Sequence, residues 1–193
     1  MHHSYTFFIC LFFISCLLPL QAQVICPQTN IEFSTQADVD NFPSLGCTVI
    51  EGDLKMFSDD ILNLDSLYVL QEIGGTLFIS SCDSLKNLHG LEGLKNIGGD
   101  LRIGAALALT LGNANLESLE GLNQLDSIGG SLFLDFNQSL MNFQGLDNLK
   151  YIGEDLIMGA VYLTSPNGGL PQLKNLIGLE ALNYIGGNLQ VWY

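Results

Sequence analysis

Carboxylates at regular intervals are the residues whose chemistry we consider first. The sequence contains six similar repeats, each with a short glycine-containing segment that we call a corner. The residue after the corner is Asp53, Thr76, Asp100, Ser131, Asp155 or Asn188. If repeats stack as strands about 4.8 Å apart, successive acids lie roughly 9.6 Å apart, too far to share one Ca²⁺ with ligands at about 2.4 Å. A glycoside-hydrolysing carboxylate pair could span that distance. Nothing else supports it, and a spacing that limits like-charge repulsion is the favoured interpretation.

Other catalytic chemistry has little support. His89 is the one histidine after residue 22, and its place in the repeat is taken elsewhere by Asp65, Glu120, Gln144 and Ile177. A position that accepts such different side chains faces outwards. No G-x-S-x-G, H-E-x-x-H or P-loop motif occurs, and no helix follows the glycines to bind phosphate. We predict no enzymatic activity, no catalytic residue, no metal and no cofactor.

Six corners organise the chain, at intervals of 23, 24, 31, 24 and 33 residues. They are Ile50-Glu51-Gly52, Ile73-Gly74-Gly75, Ile97-Gly98-Gly99, Ile128-Gly129-Gly130, Ile152-Gly153-Glu154 and Ile185-Gly186-Gly187. Periods in the twenties are typical of leucine-rich and related repeats.

Before five of the corners, apolar residues recur at every third position. One such wall segment is Leu85, Leu88, Leu91, Leu94 and Ile97, and the others begin at Ile61, Leu116, Leu140 and Leu173. On an α-helix, a spacing of three drifts by about 60° per step, so five steps leave one face. A glycine inside four of the segments adds a helix penalty of about 1 kcal/mol each. We predict an extended or 3₁₀-like wall with one residue in three turned inwards.

After each corner the apolar period changes to two, as at Leu101 and Ile103. That period predicts a short strand with one buried face. The glycine pair is expected to supply backbone dihedrals that a Cβ atom forbids. Because Glu51 and Glu154 each replace one glycine, only one position of the pair is expected to need a positive φ.

A structural Asn ladder is predicted at the position before the second leucine of each wall segment. Its members are Asn63, Asn87, Ser118, Asn142 and Asn175. Inward amides at this position would satisfy backbone groups that the coiling chain buries.

The pattern L-x-N-L-x-G-L-x-x-L-x-x-I-G-G-x-L-x-I resembles the receptor L domain, a leucine-rich-repeat relative. That family occurs in insulin- and growth-factor-receptor ectodomains and in secreted or surface proteins of bacteria. The resemblance covers about residues 24 to 193 and implies a mainly β, right-handed parallel β-solenoid of about six rungs with a short N-terminal capping helix. Residues 23–49 would form the cap and residues 50–193 the repeats.

Both ends of the chain carry further expectations. Thr35 with Asp38 approximates a capping box for a short helix in the cap. We predict a Cys26–Cys47 disulfide, worth roughly 3 kcal/mol, and a buried, inert thiol at Cys82. Because the sequence ends within the sixth predicted strand, we expect an uncapped C-terminus and a chain that continues beyond Tyr193.

The outward side chains of the predicted strands form the candidate binding surface. Its central positions are Lys55, Phe78, Arg102, Phe133, Ile157 and Gln190, with Phe57 and Trp192 at the next outward position. Aromatic residues beside an arginine form a patch that a monomer rarely leaves bare. Ligand contacts in receptor L domains commonly involve this sheet and nearby loops, so the resemblance points the same way. Alternatively, two insertions (residues 104–114 and 159–170) fold over Phe78 and Phe133.

Residues 1–22 are predicted to be a signal peptide. The stretch from Tyr5 to Leu18 is almost wholly apolar, Pro19 interrupts it, and the small Ala22 precedes the cleavage point. This run is short of the ~20 residues that span a membrane, and no second run of that length follows. An alternative interpretation places a lipid on Cys16. Either way, we expect the protein to be secreted or at the cell surface.

The charge of the chain limits its partners. Six Lys and Arg oppose twenty Asp and Glu, giving a net charge of −14 that is dispersed along the sequence. Such a surface disfavours nucleic acid and anionic lipid. We therefore hypothesise an exported binding or adhesion module for protein or glycan, within a larger bacterial surface protein. The alternatives are a rigid structural spacer and, less favoured, a polysaccharide-active β-solenoid enzyme.

Overall fold

The computed structural model of the protein describes residues 23–104, 112–159 and 169–192. The predicted signal peptide with Cys16 lies outside the described residues, as do Tyr193 and most of both insertions. Among the described ranges, no helix is long and apolar enough to cross a bilayer.

Two parallel sheets dominate the fold. The seven-stranded sheet contains, in spatial order, β1 (Ile31–Phe33), β3 (Leu54–Phe57), β5 (Leu77–Ser80), β7 (Leu101–Ile103), β9 (Leu132–Leu134), β11 (Leu156–Met158) and β13 (Leu189–Val191). The six-stranded sheet contains β2 (Val49–Ile50), β4 (Glu72–Ile73), β6 (Asn96–Ile97), β8 (Ser127–Ile128), β10 (Tyr151–Ile152) and β12 (Tyr184–Ile185). Each repeat contributes one strand to each sheet, and every strand pairs in parallel with that of the next repeat. The predicted mainly β class is confirmed.

The wall segments turn as their period of three predicts. The N–H of Leu67 donates to the carbonyl of Leu64 at 2.8 Å, and that of Leu70 donates to Leu67 at 2.8 Å. The same three-residue step recurs in every wall segment. The leucines at these positions are completely buried in the second to fourth wall segments but for Leu85, at 1 % exposure. One residue in three therefore builds the core, and the prediction of a non-helical wall is confirmed.

Glycine is required at the corners for a different reason from the one expected. None of them has a positive φ; the glycines that do include Gly90, Gly121, Gly145 and Gly178 inside the wall segments. Instead, a Cβ on Gly98 would overlap the carbonyl oxygen of Gly74, and one on Gly129 would overlap that of Gly98. From the second corner onwards, the position after the isoleucine excludes a side chain, because the backbone of the preceding corner lies directly against it.

The predicted Asn ladder does not point into the core. Asn63 and Asn175 are exposed, while Asn87, Ser118 and Asn142 are half-buried. Each asparagine side-chain oxygen instead accepts the N–H two residues later, as in Asn87 to His89 at 3.2 Å. This local turn is a geometry that asparagine favours, and it keeps the amide at the surface.

The buried amides lie three residues before the first apolar residue of two wall segments. Asn113 and Asn137 are fully buried, and the Asn113 amide donates to Asn137 Oδ1 and to the Ile79 carbonyl, both at 3.1 Å. Asn137 donates to the Ile103 carbonyl at 2.8 Å, and the N–H of Cys82 donates to Asn113 Oδ1 at 3.1 Å. Cys82 is thus buried in the same column, as predicted.

A small cap closes the first repeat. Its helix α1 (Gln36–Asn41) begins after Thr35, where the predicted capping box with Asp38 is present, and a 3₁₀ turn (Phe42–Leu45) follows. The side chains of Val39 and Phe42 are buried. The Cys26–Cys47 disulfide is formed, as predicted, and ties the two ends of the cap together.

The last repeat is packed differently from the central ones. Leu176, Leu189 and Val191 expose 53 %, 58 % and 42 % of their surfaces, whereas the equivalent residues of earlier repeats are buried. Strand β13 pairs with β11 on one side. The continuation of the chain beyond Tyr193 stays a prediction.

Replacing a first corner glycine is expected to destabilise the fold. Gly129→Ala should lower the free energy of unfolding by about 1–3 kcal/mol, because its methyl group must displace the Gly98 carbonyl. Gly130→Ala is the matched control. Its Cβ would meet the Asp100 side chain first, which can move more easily than a backbone carbonyl, and Glu154 occupies the same position of the next corner, so this change should cost less. Urea denaturation followed by circular dichroism measures both. Equal stabilities for Gly129→Ala and the parent protein would contradict this account of the corner.

Cys82 is expected to be unreactive in the folded protein. Burial raises the pKa of its thiol to about 11, so the reactive thiolate is on the order of one part in a thousand at pH 8. Ellman's reagent should label Cys82 only after guanidinium unfolds the chain. Labelling of the native protein as fast as that of free glutathione would show that the buried site around Cys82 opens to solvent.

Candidate binding surface on the seven-stranded sheet

The six candidate residues form one row across the seven-stranded sheet. In-register pairing joins Lys55, Phe78, Arg102, Phe133, Ile157 and Gln190 in that order, with Glu32 of β1 next to Lys55. Neighbouring members therefore sit on adjacent strands, about 4.8 Å apart. We call these six residues the central row.

The central row is less exposed than its sequence predicts. Phe78 and Ile157 are only 6 % and 7 % exposed, so these two positions offer a partner little apolar surface. Phe57 packs edge-on against Phe78, with ring centroids 4.6 Å apart. Phe133 and Gln190 are half-buried. The aromatic surface is therefore partly satisfied within the chain.

Arg102 is held in place from two directions. Its Nε and Nη2 atoms each donate to Asp100 Oδ2 at 3.0 Å, and its guanidinium carbon lies 3.9 Å from the ring centroid of Phe133. The side chain remains 39 % exposed. A guanidinium carries five N–H donors, and the Asp100 contacts use two of them. The planar group is held in one orientation, so its remaining N–H groups point in fixed directions from which a ligand could accept.

The acids after the corners prove to be structural. Asp100 Oδ1 accepts the N–H of Ser131 at 2.8 Å, and the Ser131 hydroxyl in turn accepts the N–H of Asp155 at 3.1 Å. The same bond joins each repeat to the next along the residues Asn30, Asp53, Thr76, Asp100, Ser131, Asp155 and Asn188. We call this column the corner ladder. Each member supplies an acceptor for the following repeat, which explains the short polar side chains better than charge spacing does.

Charges on this face are largely paired. Lys55 lies 3.3 Å from Asp53, as Arg102 lies beside Asp100. In both pairs the acid stands two residues before the base, so both side chains emerge from the same face of one strand. Sequence reasoning found the bases but missed that the corner acids position them; the two-residue spacing was the available signal.

Neither the acids nor His89 forms a catalytic arrangement. Asp100 and Asp155 both accept backbone N–H groups of the next repeat. The side chain of His89 is 53 % exposed and contacts Glu92 at 3.0 Å and Glu120 at 3.8 Å, as expected for an outward position. The described part of the chain holds no group of three or more His, Cys, Asp or Glu side chains placed to bind a metal ion.

The two insertions begin beside the central row. Gly104 follows β7 and Gly159 follows β11, two residues after Arg102 and Ile157 respectively. Residues 105–111 and 160–168 lie outside the described residues, so whether the insertions cover Phe78 and Phe133 stays a prediction. Of the two starting points, Gly104 is the one on the same strand end as Arg102.

Comparison with known proteins gives a family match over this region. The sequence profile of the family described as Receptor L domain matches residues 46–142, half of the chain, including Phe78, Arg102 and Phe133. An insulin-like peptide receptor of Branchiostoma lanceolatum is 31% identical over 148 residues. That match covers 72% of this chain and 11% of the receptor, so the chain spans about a tenth of its relative. No solved structure matches the chain significantly.

The corner ladder can be tested at Asp100. Asp100→Ala leaves the partly buried N–H of Ser131 without an acceptor and should lower the free energy of unfolding by about 1–3 kcal/mol. Asp100→Asn keeps an acceptor oxygen and should cost clearly less. Thermal unfolding of the two variants measures the difference. If both variants lose the same stability, the ion pair with Arg102 matters and the ladder bond does not.

Proposed function

Because the chain belongs to the receptor L domain family, we propose that it is an exported, non-enzymatic binding or adhesion module. It recognises protein or glycan through the central row and the two insertions. The observation that carries this proposal is Arg102, held between Asp100 and Phe133 yet partly open to solvent. Arginine and aromatic residues are enriched at protein interfaces, and a few such side chains that become desolvated in the complex carry most of the binding energy.

The same family membership supports the finer architecture that we propose. The chain coils as a right-handed β-solenoid of about six rungs, with a signal peptide at residues 1–22, a cap at residues 23–49 and repeats at residues 50–193. The parallel pairing of every repeat with the next supports this coil. In such a coil the central row faces outwards along its whole length.

An extracellular location fits the chemistry of the chain. The Cys26–Cys47 disulfide persists in oxidising compartments, and the relative from Branchiostoma lanceolatum is named as a receptor. The net charge of −14 disfavours nucleic acid as a partner. The bacterial origin of the protein and its place in a longer surface protein stay predictions.

A rigid spacer is the second candidate function. The burial of Phe78 and Ile157 favours it, because a face whose apolar groups are already covered offers less to a partner. The corner ladder would also stiffen such a rod. A polysaccharide-active enzyme is less favoured, since Asp100 and Asp155 are engaged as structural acceptors.

The binding function is tested by glycan-array and pull-down screens of the protein, followed by affinity measurements on any partner found. Arg102→Ala and Phe133→Ala should each weaken binding at least tenfold, about 1.4 kcal/mol. The matched controls lie on the six-stranded sheet: Lys150→Ala also removes an ion-paired base, and Tyr151→Ala an exposed aromatic ring. Both controls should bind like the parent protein.

Two outcomes would contradict the proposal. If no partner is captured, the spacer function is favoured. If a partner binds equally well to Arg102→Ala, Phe133→Ala and the controls, the protein is a binding module but the central row is not its contact surface.

A further inference from the structure

A groove lined by both polar and apolar groups lies on the wall segments, not on the seven-stranded sheet. It has a volume of about 350 Å³ and is lined by residues 62, 63, 65, 84–87 and 89 of two successive repeats. This volume is at the lower end of the range of small-molecule sites. None of its lining residues belongs to the central row or the corner ladder.

Two asparagine amides in this groove are oriented by their own backbone. The Asn63 Oδ1 atom accepts the N–H of Asp65 at 3.1 Å, and Asn87 Oδ1 accepts the N–H of His89 at 3.2 Å. Each amide oxygen therefore accepts one backbone N–H, and this hydrogen bond holds the side chain in one orientation. The two NH₂ groups have no hydrogen-bond partner among the described residues, so the groove presents two fixed donors from equivalent positions of adjacent repeats.

The rest of the lining supplies acceptors and an apolar surface. Asp65 and Lys86 both line the groove, and neither forms an ion pair among the described residues. The Ser84 hydroxyl donates to the Asp59 carbonyl at 2.8 Å, and among the described residues its oxygen accepts no hydrogen bond. Leu62 is 60 % exposed at the rim. Donors, acceptors and a patch of hydrocarbon thus converge on one small site.

We propose that this groove binds a short segment of a neutral oligosaccharide. Sugar hydroxyls both donate and accept, which matches the free amides, the Asp65 carboxylate and the Lys86 ammonium; the C–H faces of a sugar ring match Leu62. The surroundings disfavour an anionic ligand despite Lys86, because Glu92 and Glu120 flank His89 and the whole chain carries −14. The proposal is independent of the central row, because the two sites share no residue.

The test uses four oligosaccharide probes and ¹⁵N-labelled protein. Chitohexaose, cellohexaose and mannohexaose are the neutral probes, and hexagalacturonate is the anionic one. At least one neutral probe should shift the side-chain NH₂ resonances of Asn63 and Asn87 saturably, with a Kd of about 1 mM or tighter. Hexagalacturonate should bind at least tenfold more weakly.

Aspartate substitutions separate binding from folding. Asn63→Asp and Asn87→Asp keep the oxygen that accepts the backbone N–H but remove the free donor, so each should weaken binding at least tenfold without changing the melting temperature by more than a few degrees. Asn142→Asp is the matched control, because Asn142 makes the same turn with Gln144 outside the groove.

Three results would overturn the proposal. The first is that no neutral probe shifts the two amide resonances. The second is that hexagalacturonate binds as well as the neutral probes. The third is that Asn63→Asp and Asn87→Asp bind like Asn142→Asp. Shifts confined to Arg102 and Phe133 would place glycan binding on the central row instead, which rejects the groove while supporting the proposed function.

Discussion

The direct contact between the backbones of successive corners is the constraint on which this structure depends. From the second corner onwards, the first glycine of a corner lies against the carbonyl of the corner before it, so a side chain has no room there. This close approach sets the register between repeats. In that register the wall leucines meet in the core, the corner ladder joins neighbouring repeats, and the side chains of the central row fall on adjacent strands.

Local periodicity predicts most of the fold because it reports directly on burial. A spacing of three marked the wall segments and a spacing of two marked the strands, and both emerge as buried leucine and isoleucine side chains. Contacts between repeats are harder to predict from the sequence, because they depend on how closely the backbones of two repeats approach each other, which the pattern of a single repeat does not encode. The corner glycines were assigned to a positive φ, although the neighbouring carbonyl is what excludes a Cβ. The Asn87 side chain accepts the N–H of His89 within its own surface turn. Asn113 and Asn137, which recur less regularly in the sequence, are the amides that lie in the core.

In the candidate binding surface, too, some features follow from the sequence pattern and others do not. The alternation within each strand placed Arg102 and Phe133 outwards, and pairing across the sheet brings them together. The sequence did not reveal that Phe57 covers Phe78 or that Asp100 holds Arg102, because both depend on side-chain packing rather than on register. The consequence is a surface on which the Arg102 guanidinium is held in one plane beside the partly covered Phe133 ring, and Lys55 is paired with Asp53. The wall segments add a second surface, a groove in which the Asn63 and Asn87 amides are held by their own backbone turns.

Native-state hydrogen exchange at the corner amides tests the central claim most directly. The N–H groups of Gly74, Gly98, Gly129 and Gly153 donate to carbonyls of the preceding repeat at 2.7 to 2.9 Å. If the stacked corners hold the fold together, these amides should exchange only through global unfolding, with the same free energy as the buried strand amides. Exchange of the corner amides at the rate of exposed loop residues, while the strands stay protected, would contradict the account.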